Sequence, residues 1–255
     1  MSSAQRPIEP MHQRPPSGLV RLLAEDADLA RSVPSEDREA AIRTVVAQQL
    51  TLDVGTCEGS TFEPYAEQAG LIVLEGLLLR EVVVASRVCG ELLDAGSLVR
   101  PWDRTGECAP LPYDICWRVL ETARLAVLDD RFIALSSRWP ALSKALVERS
   151  IERAQRLALS VAIHSLEHVE LRLLVLLWHL ADRLGRVTRS GTVIPVRLTH
   201  SDLGKLVGAQ RPTVSRAVAS LTGHGQLLRA EDKSWVLLGE PPAEVRDLRR
   251  QQQRT

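Results

Sequence analysis

LTHSDLGKLVGAQRPTVSRAVASL, running from Leu198 to Leu221, holds the pattern on which the fold of this chain turns. Thr199 followed three residues later by Asp202 has the spacing of a capping box, in which two side chains satisfy backbone N–H groups at a helix start. Leu203, Leu206 and Val207 give that helix a buried face, and Gly208 permits the tight turn that follows. A second helix begins at Arg211, with Pro212 in its first turn, where a missing N–H breaks no intrahelical bond. This helix buries Val214, Val218 and Leu221 at i, i+4 and i+7, which turns Arg211, Pro212, Ser215, Arg216 and Ala219 outward. Two helices so joined, the second with a cationic outer face, predict a helix-turn-helix whose second member enters a major groove.

The side chains on that outer face suit the task. The guanidinium groups of Arg211 and Arg216 can fork onto guanine O6 and N7, and Thr213 and Ser215 suit phosphate or base-edge hydrogen bonds. Thr199, Lys205, Gln210 and Pro212 complete the expected DNA-binding set, with His200 and His224 flanking it as phosphate contacts or plain surface histidines. After Gly223 and Gly225, the runs Leu227–Arg229 and Trp235–Leu238 around Glu231, Asp232 and Lys233 predict a β-hairpin wing. Charge supports the reading. The chain is neutral overall, yet Arg183 to Ala230 carries a net +7 and residues 1–182 a net −7. An acidic body joined to a basic module points to a polyanionic partner.

Outward from this module the texture changes. Leu171–Leu184 is amphipathic around Leu174, Leu177, Trp178 and Ala181 and is expected in the module's core. Ala141–Glu170 contains no Gly or Pro, and Val147, Ile151, Ala154, Ala158, Val161 and Ser165 recur at steps of four and three. That spacing predicts a long helix with a coiled-coil-like seam, covered either by a second copy of the chain or by the β-unit. Leu71–Leu74, Leu77–Val84, Arg87–Leu93 and Trp117–Leu128 read as β-strands punctuated by glycines, which suggests a sandwich or roll. Leu19–Ala30 and Ser35–Leu50 read as entry helices, with Ser35 as an N-cap. Pro7, Pro10, Pro15 and Pro16 make residues 1–17 an expected flexible arm.

The expected fold class is therefore α+β. A jelly-roll-like double-stranded β-roll with its entry helices spans 18–139, a dimerisation helix 140–170, the winged helix-turn-helix 171–240 and a tail 241–255. No stretch is long and apolar enough for a membrane span, and no secretory signal or disulfide framework is legible, so a cytoplasmic protein is expected.

At the Leu198–Val218 string the sequence resembles the Crp/Fnr superfamily of bacterial transcription regulators, and the order of roll, long helix and basic module resembles that family from about residue 45 to 240. The resemblance implies a homodimer joined along the long helix, double-stranded DNA as partner, and Arg211 and Arg216 as base-contacting arginines. RNA polymerase and a small-molecule effector are the further partners it brings into view. Pro212 stands where many members carry a glutamate that reads cytosine. Glu91–Trp102, ELLDAGSLVRPW, resembles the segment leading into the family's phosphate-binding cassette. Arg100 and Pro101 occupy the places of its Gly-Glu pair, and no Arg-Ser or Arg-Thr dipeptide occurs before Trp117. Proline offers neither a carboxylate nor an N–H, so cyclic AMP is not expected to bind by the usual contacts. Arg100, Trp102 and Trp117 are the candidate effector-pocket residues, and a displaced anion site would use Arg100, Arg104 or Arg118.

Other constellations give less. Cys57, Cys89, Cys108 and Cys116 are too widely spaced for the tight cluster of the iron–sulfur branch and read as small hydrophobes. His164 and His168, four apart on one expected helical face, lack a third metal ligand. No GxSxG elbow, HExxH or Walker-type loop is present. No catalytic residue, metal or cofactor is expected. The rival readings are a ligand- or protein-binding roll with a vestigial basic module and, behind it, an enzyme built on the roll.

Overall fold

The computed structural model describes residues 18–57, 59–101 and 113–242. The expected N-terminal arm, most of the tail, Trp102, Arg104 and Cys108 lie outside the described residues. The chain divides into two units, Met1–Ser86 with Glu91–Arg156, and Arg87–Gly90 with Leu157–Thr255.

The first unit opens with β1 (Leu19–Arg21), α1 (Leu22–Glu25), α2 (Ala27–Arg31) and α3 (Ser35–Thr44), and continues through β2 (Val46–Leu52), β3 (Gly55–Cys57) and a 3-10 segment, Gly59–Tyr65. Then come β4 (Gly70–Val84), β5 (Arg87–Leu93), β6 (Leu98–Val99), β7 (Asp114–Leu128), α4 (Asp130–Ser136) and the first part of α5 (Pro140–Ser165). The strands form a seven-stranded sheet in the order β1-β2-β7-β4-β5, with β3 on β7 and β6 on β4.

Period-two alternation divides the strand side chains between two cores. Leu50, Leu71, Val73, Leu125 and Val127 pack with Phe62, Trp117 and Val119 on one side. Ile72, Ala126 and Leu128 pack with Leu22, Leu23, Leu29, Phe132 and Trp139 on the other. A strand buried on both faces reads as a continuous apolar run, which is what Leu71–Leu74 is. The two runs Leu71–Leu74 and Leu77–Val84 belong to one strand, interrupted against β7 by register shifts between Val73 and Leu78. Gly76 sits at this irregularity with φ +91°, and a Cβ there would fall 2.3 Å from the Thr122 carbonyl oxygen.

The structure corrects four sequence expectations. Leu19–Arg21 is a strand on β2, not the start of a helix, and Val46–Leu52 is a strand on β7, not the end of one. Val46 pairs with Arg21 on β1, and strand alternation buries Ala47 in one core and Leu50 and Leu52 in the other; tertiary pairing outweighs the helical spacing. Pro34 occupies the N-cap of α3, while Ser35 is its first helical residue and its hydroxyl turns to Glu36. The long helix ends at Ser165, not Glu170. Its seam, continued by steps of three and four, would place His168 and Arg172 in line, whereas the next buried set begins at Leu173 and Leu174. The apolar stripe changes phase, and the chain breaks between the two helices without glycine or proline.

The second unit contains α6 (Val169–Leu184), β8 (Arg186–Thr188), β9 (Gly191–Ile194), α7 (His200–Val207), α8 (Arg211–Gly223), β10 (Leu227–Arg229) and β11 (Trp235–Leu237). Its sheet runs β10-β11-β9-β8, all antiparallel. Leu173, Leu177, Leu180, Leu203, Val207, Val214, Leu221 and Trp235 fill the core. Among the described residues no helix is long and apolar enough to cross a membrane.

Candidate nucleic-acid interface

The capping box forms at α7. Asp202, buried, accepts from the Thr199 backbone N at 2.9 Å and lies 2.7 Å from Thr199 Oγ1, while the Asp202 backbone N donates to Thr199 Oγ1 at 3.2 Å. Gly208 closes the helix at φ +66°, ψ +36°, the left-handed conformation that lets the chain turn into α8. Gln210 is the N-cap of α8, and Pro212 lies in the first turn. Val214, Ala217, Val218 and Leu221 are buried. On the opposite side Gln210, Arg211, Pro212, Arg216 and Ala219 are exposed and Thr213 and Ser215 half-buried. Neither Arg211 nor Arg216 is held in an ion pair among the described residues.

The remaining members of the expected set divide. Lys205 is half-buried on α7. The Thr199 hydroxyl is spent within the capping box. Ser215 Oγ lies 2.9 Å from His200 Nδ1, and the imidazole stacks on Trp235 with ring centroids 6.0 Å apart at 28°. Arg229, one of the eight basic residues of the Arg183–Ala230 stretch, is occupied internally. Its guanidinium lies 4.0 Å over the Trp235 ring and donates to the Leu198 carbonyl at 2.7 Å, which also accepts from Trp235 Nε1 at 3.2 Å. Burial lowers the pKa of Arg229, with Asp232 acting in opposition. Burial, and then the positive charges of Arg229 and Arg211, lower the pKa of His200.

Two features escaped the sequence reading. One is the β8–β9 hairpin, whose short strands carry no alternation. The other is the His200–Trp235–Arg229 stack, whose members lie too far apart in sequence for a local signal. The helix break also changes the reading of His164 and His168, which do not share a helical face. His164 Nε2 donates to the Leu206 carbonyl at 2.8 Å, and His168 is exposed at the start of α6. Arg172 bridges the same region, its Nε donating to Leu166 O at 2.6 Å and its Nη1 to Val207 O at 3.4 Å.

Within the first unit, Arg100 and Trp117 line a cavity of about 330 Å³, together with Arg80, Arg153, Leu98 and Ile115. Pro101 is also in its wall. Glu91 takes a two-pronged contact from Arg153, at 2.7 and 2.8 Å, and lies 3.4 Å from Arg80. Trp117 is at once core and wall, with its edge against Phe62 at 5.7 Å between centroids. Arg118 is paired with Glu81 at 3.0 Å. Burial pushes the Cys57 thiol up to about 12, so it is an inert apolar side chain at neutral pH, whereas Cys89 and Cys116 are exposed.

A two-helix unit that caps, turns and presents an unpaired cationic face beside a β-wing defines the winged helix-turn-helix class of DNA-binding proteins. The Crp-like helix-turn-helix domain model matches residues 171–238. No curated protein matches the chain in sequence. Among solved structures, a CooA mutant from Carboxydothermus hydrogenoformans is similar with a TM-score of 0.59 at 14% identity, over 87% of this chain and 91% of that one. CprK complexed with OCPA gives 0.55 at 14%, over 90% and 94%. A transcriptional regulator of the CRP family from Thermus thermophilus gives 0.52 at 20%, over 68% and 85%. These likenesses show the fold of the chain, and the family model marks residues 171–238 as a Crp-like helix-turn-helix domain.

Proposed function

We propose that the protein works as a homodimer in which each copy lays α8 in a major groove, so that two modules meet half-sites about one helical turn apart. Arg211 and Arg216 read guanine edges, Thr213 and Ser215 bond to base edges or phosphate, and Lys205, Gln210 and the helix start at Thr199 lie along the backbone. The observation that carries this reading is the two-sidedness of α8: Val214, Val218 and Leu221 are buried while Arg211 and Arg216 are exposed. A packed internal helix has no use for two unpaired guanidiniums on one side. Dimerisation through the α5 seam is supported by the exposure of Val147, Ile151, Ala154, Ala158, Val161 and Ser165.

The cavity beside Trp117 is the proposed effector site. The lining of Arg80, Arg100 and Arg153 with Leu98, Ile115 and Trp117 suits an anion with an apolar body. CprK, whose fold the chain shares, is complexed with OCPA. Arg100 and Pro101 supply no carboxylate acceptor for a ribose hydroxyl, so cyclic AMP is not held by the usual contacts. Signal passes along α5, which belongs to both units and can bias the spacing of the two DNA modules. Selection of genomic fragments by the purified protein tests the DNA reading and returns the operator together. Enrichment of one motif with two spaced halves is the expected result. Failure to retain duplex DNA at low ionic strength would favour the vestigial module instead. Tight cyclic AMP binding in a titration would refute the statement on the effector.

A further inference from the structure

We propose that His200, when neutral with its proton on Nε2, accepts the Ser215 O–H at Nδ1, so that Ser215 offers lone pairs to the groove and selects a base edge that carries an N–H. The inference rests on the reading of α8 as the groove-entering helix and names a specificity device within it. His200 Nδ1 is 2.9 Å from Ser215 Oγ, and the hydroxyl has no other hydrogen-bond partner among the described residues. A serine hydroxyl has one proton and two acceptor sites. When the imidazole carries its proton on Nε2, Nδ1 accepts the serine O–H, and only acceptor sites are left to face outward. The major-groove groups that donate to them are the N6 amine of adenine and the N4 amine of cytosine. When the imidazole is protonated, Nδ1 donates to Oγ and the serine proton swings outward. The same side chain then favours acceptors, guanine O6 and N7, thymine O4 or adenine N7, and cytosine, which offers only its amine, is the base that loses. One titration thus inverts what one position of the operator is asked for.

The surroundings hold the ring for this role. His200 lies flat on Trp235, and Trp235 and Arg229 are both tied to the Leu198 carbonyl two residues before His200. The charged groups that act on the imidazole are Arg229 from β10 and Arg211 from α8, both positive; Asp232, in the turn of the wing, acts on Arg229 from the other side. Burial and these two cations favour the neutral ring, while phosphates of bound DNA pull toward the charged one.

The test is selection of bound sites from random duplex DNA by the full-length protein at about pH 8 and about pH 5.5, which bracket an ordinary histidine. At the higher pH one position should prefer adenine or cytosine over guanine or thymine by roughly three- to tenfold, the worth of one hydrogen bond. At the lower pH that preference should move away from cytosine and toward guanine or thymine, with adenine, which carries both a donor and an acceptor, least affected. Ser215→Ala should flatten the same position. His200→Phe, which keeps a ring on Trp235 and removes Nδ1, should flatten it too, and the double variant should go no further than either single one. Unfolding midpoints of the variants show whether each is folded, and the pH arm needs no variant at all. A His200→Phe protein as selective there as wild type, or a preference indifferent to pH, would overturn the proposal. So would an equal loss of affinity on every sequence, which would make His200 a packing residue. A wild-type protein that selects no sequence would overturn the groove reading itself, so the two failures are told apart.

Discussion

Ile151→Glu on α5 should separate the two copies of the chain. Ile151 is 52% exposed, and its seam neighbours Val147 and Val161 are 58% and 70% exposed. Burying an isoleucine exposed to that degree removes on the order of 100 Å² from water, worth about 2.5 kcal/mol at the usual coefficient per unit area. A two-fold seam presents each residue twice. Loss of both side chains therefore costs about 5 kcal/mol, a rise of roughly 5,000-fold in the dimer dissociation constant. Two facing carboxylates add to this. Because the side chain is exposed within one copy, the substitution leaves the core of that copy untouched, and its unfolding midpoint should match wild type. Sedimentation equilibrium reads the dissociation constant directly. Binding to a paired operator should fall while binding to an isolated half-site is retained, since the lost quantity is the effective concentration of the second module. A variant whose dissociation constant stays within about tenfold of wild type, or a wild-type chain that sediments as a monomer at micromolar concentration, would refute the assignment of the seam.

Arg216→Ala should cost about 1–3 kcal/mol at one base position and relax the choice there, whereas Lys205→Ala should weaken all sequences alike and reduce the salt slope by about 1. Binding to a panel of single-base operator variants at several salt concentrations separates the two. Asp202→Ala removes a buried carboxylate that serves both the Thr199 N–H and its hydroxyl. It should destabilise the DNA-binding unit by about 1–3 kcal/mol, read as a shift in thermal midpoint. The pKa of His200 is lowered by burial, Arg229 and Arg211, so as pH falls the unfolded chain takes up its proton first, near pH ~6.5. The stability this group contributes is therefore present above that value and lost as the pH falls through the folded pKa. Urea midpoints across this range should fall less steeply for His200→Phe than for wild type.

The sequence exposes the DNA-binding unit because its determinants are local. Thr199 and Asp202 are three residues apart, Gly208 sets the turn by its own backbone, and Val214, Val218 and Leu221 repeat within one helix. The first unit is harder to read because its determinants are paired across the chain. Val46–Leu52 has spacing that also fits a helix, and only pairing with Ala123–Val127 on β7 decides for a strand. The bend at Gly76 depends on the Thr122 carbonyl, which no local rule brings to it. The same holds for the candidate interface. The outward arginines follow from helix periodicity, but the withdrawal of Arg229 onto Trp235 and Leu198 arises only when the wing folds back on the start of α7, and the contact of His200 with Ser215 only when α7 packs on α8.

The joint between α5 and α6 contains no glycine or proline; Arg172 and His164 fasten it by gripping carbonyls at Leu166, Leu206 and Val207. A steric hinge is permanent, but a chemical latch can be released. Arg172→Leu would free the Leu166 and Val207 carbonyls, leaving only the His164 bond to Leu206, and the rod would then wind straight through into its neighbour. Twisting the last turn of α5 would otherwise carry the DNA-reading module with it, like a key turned by its shank, because the same two side chains hold the end of α7.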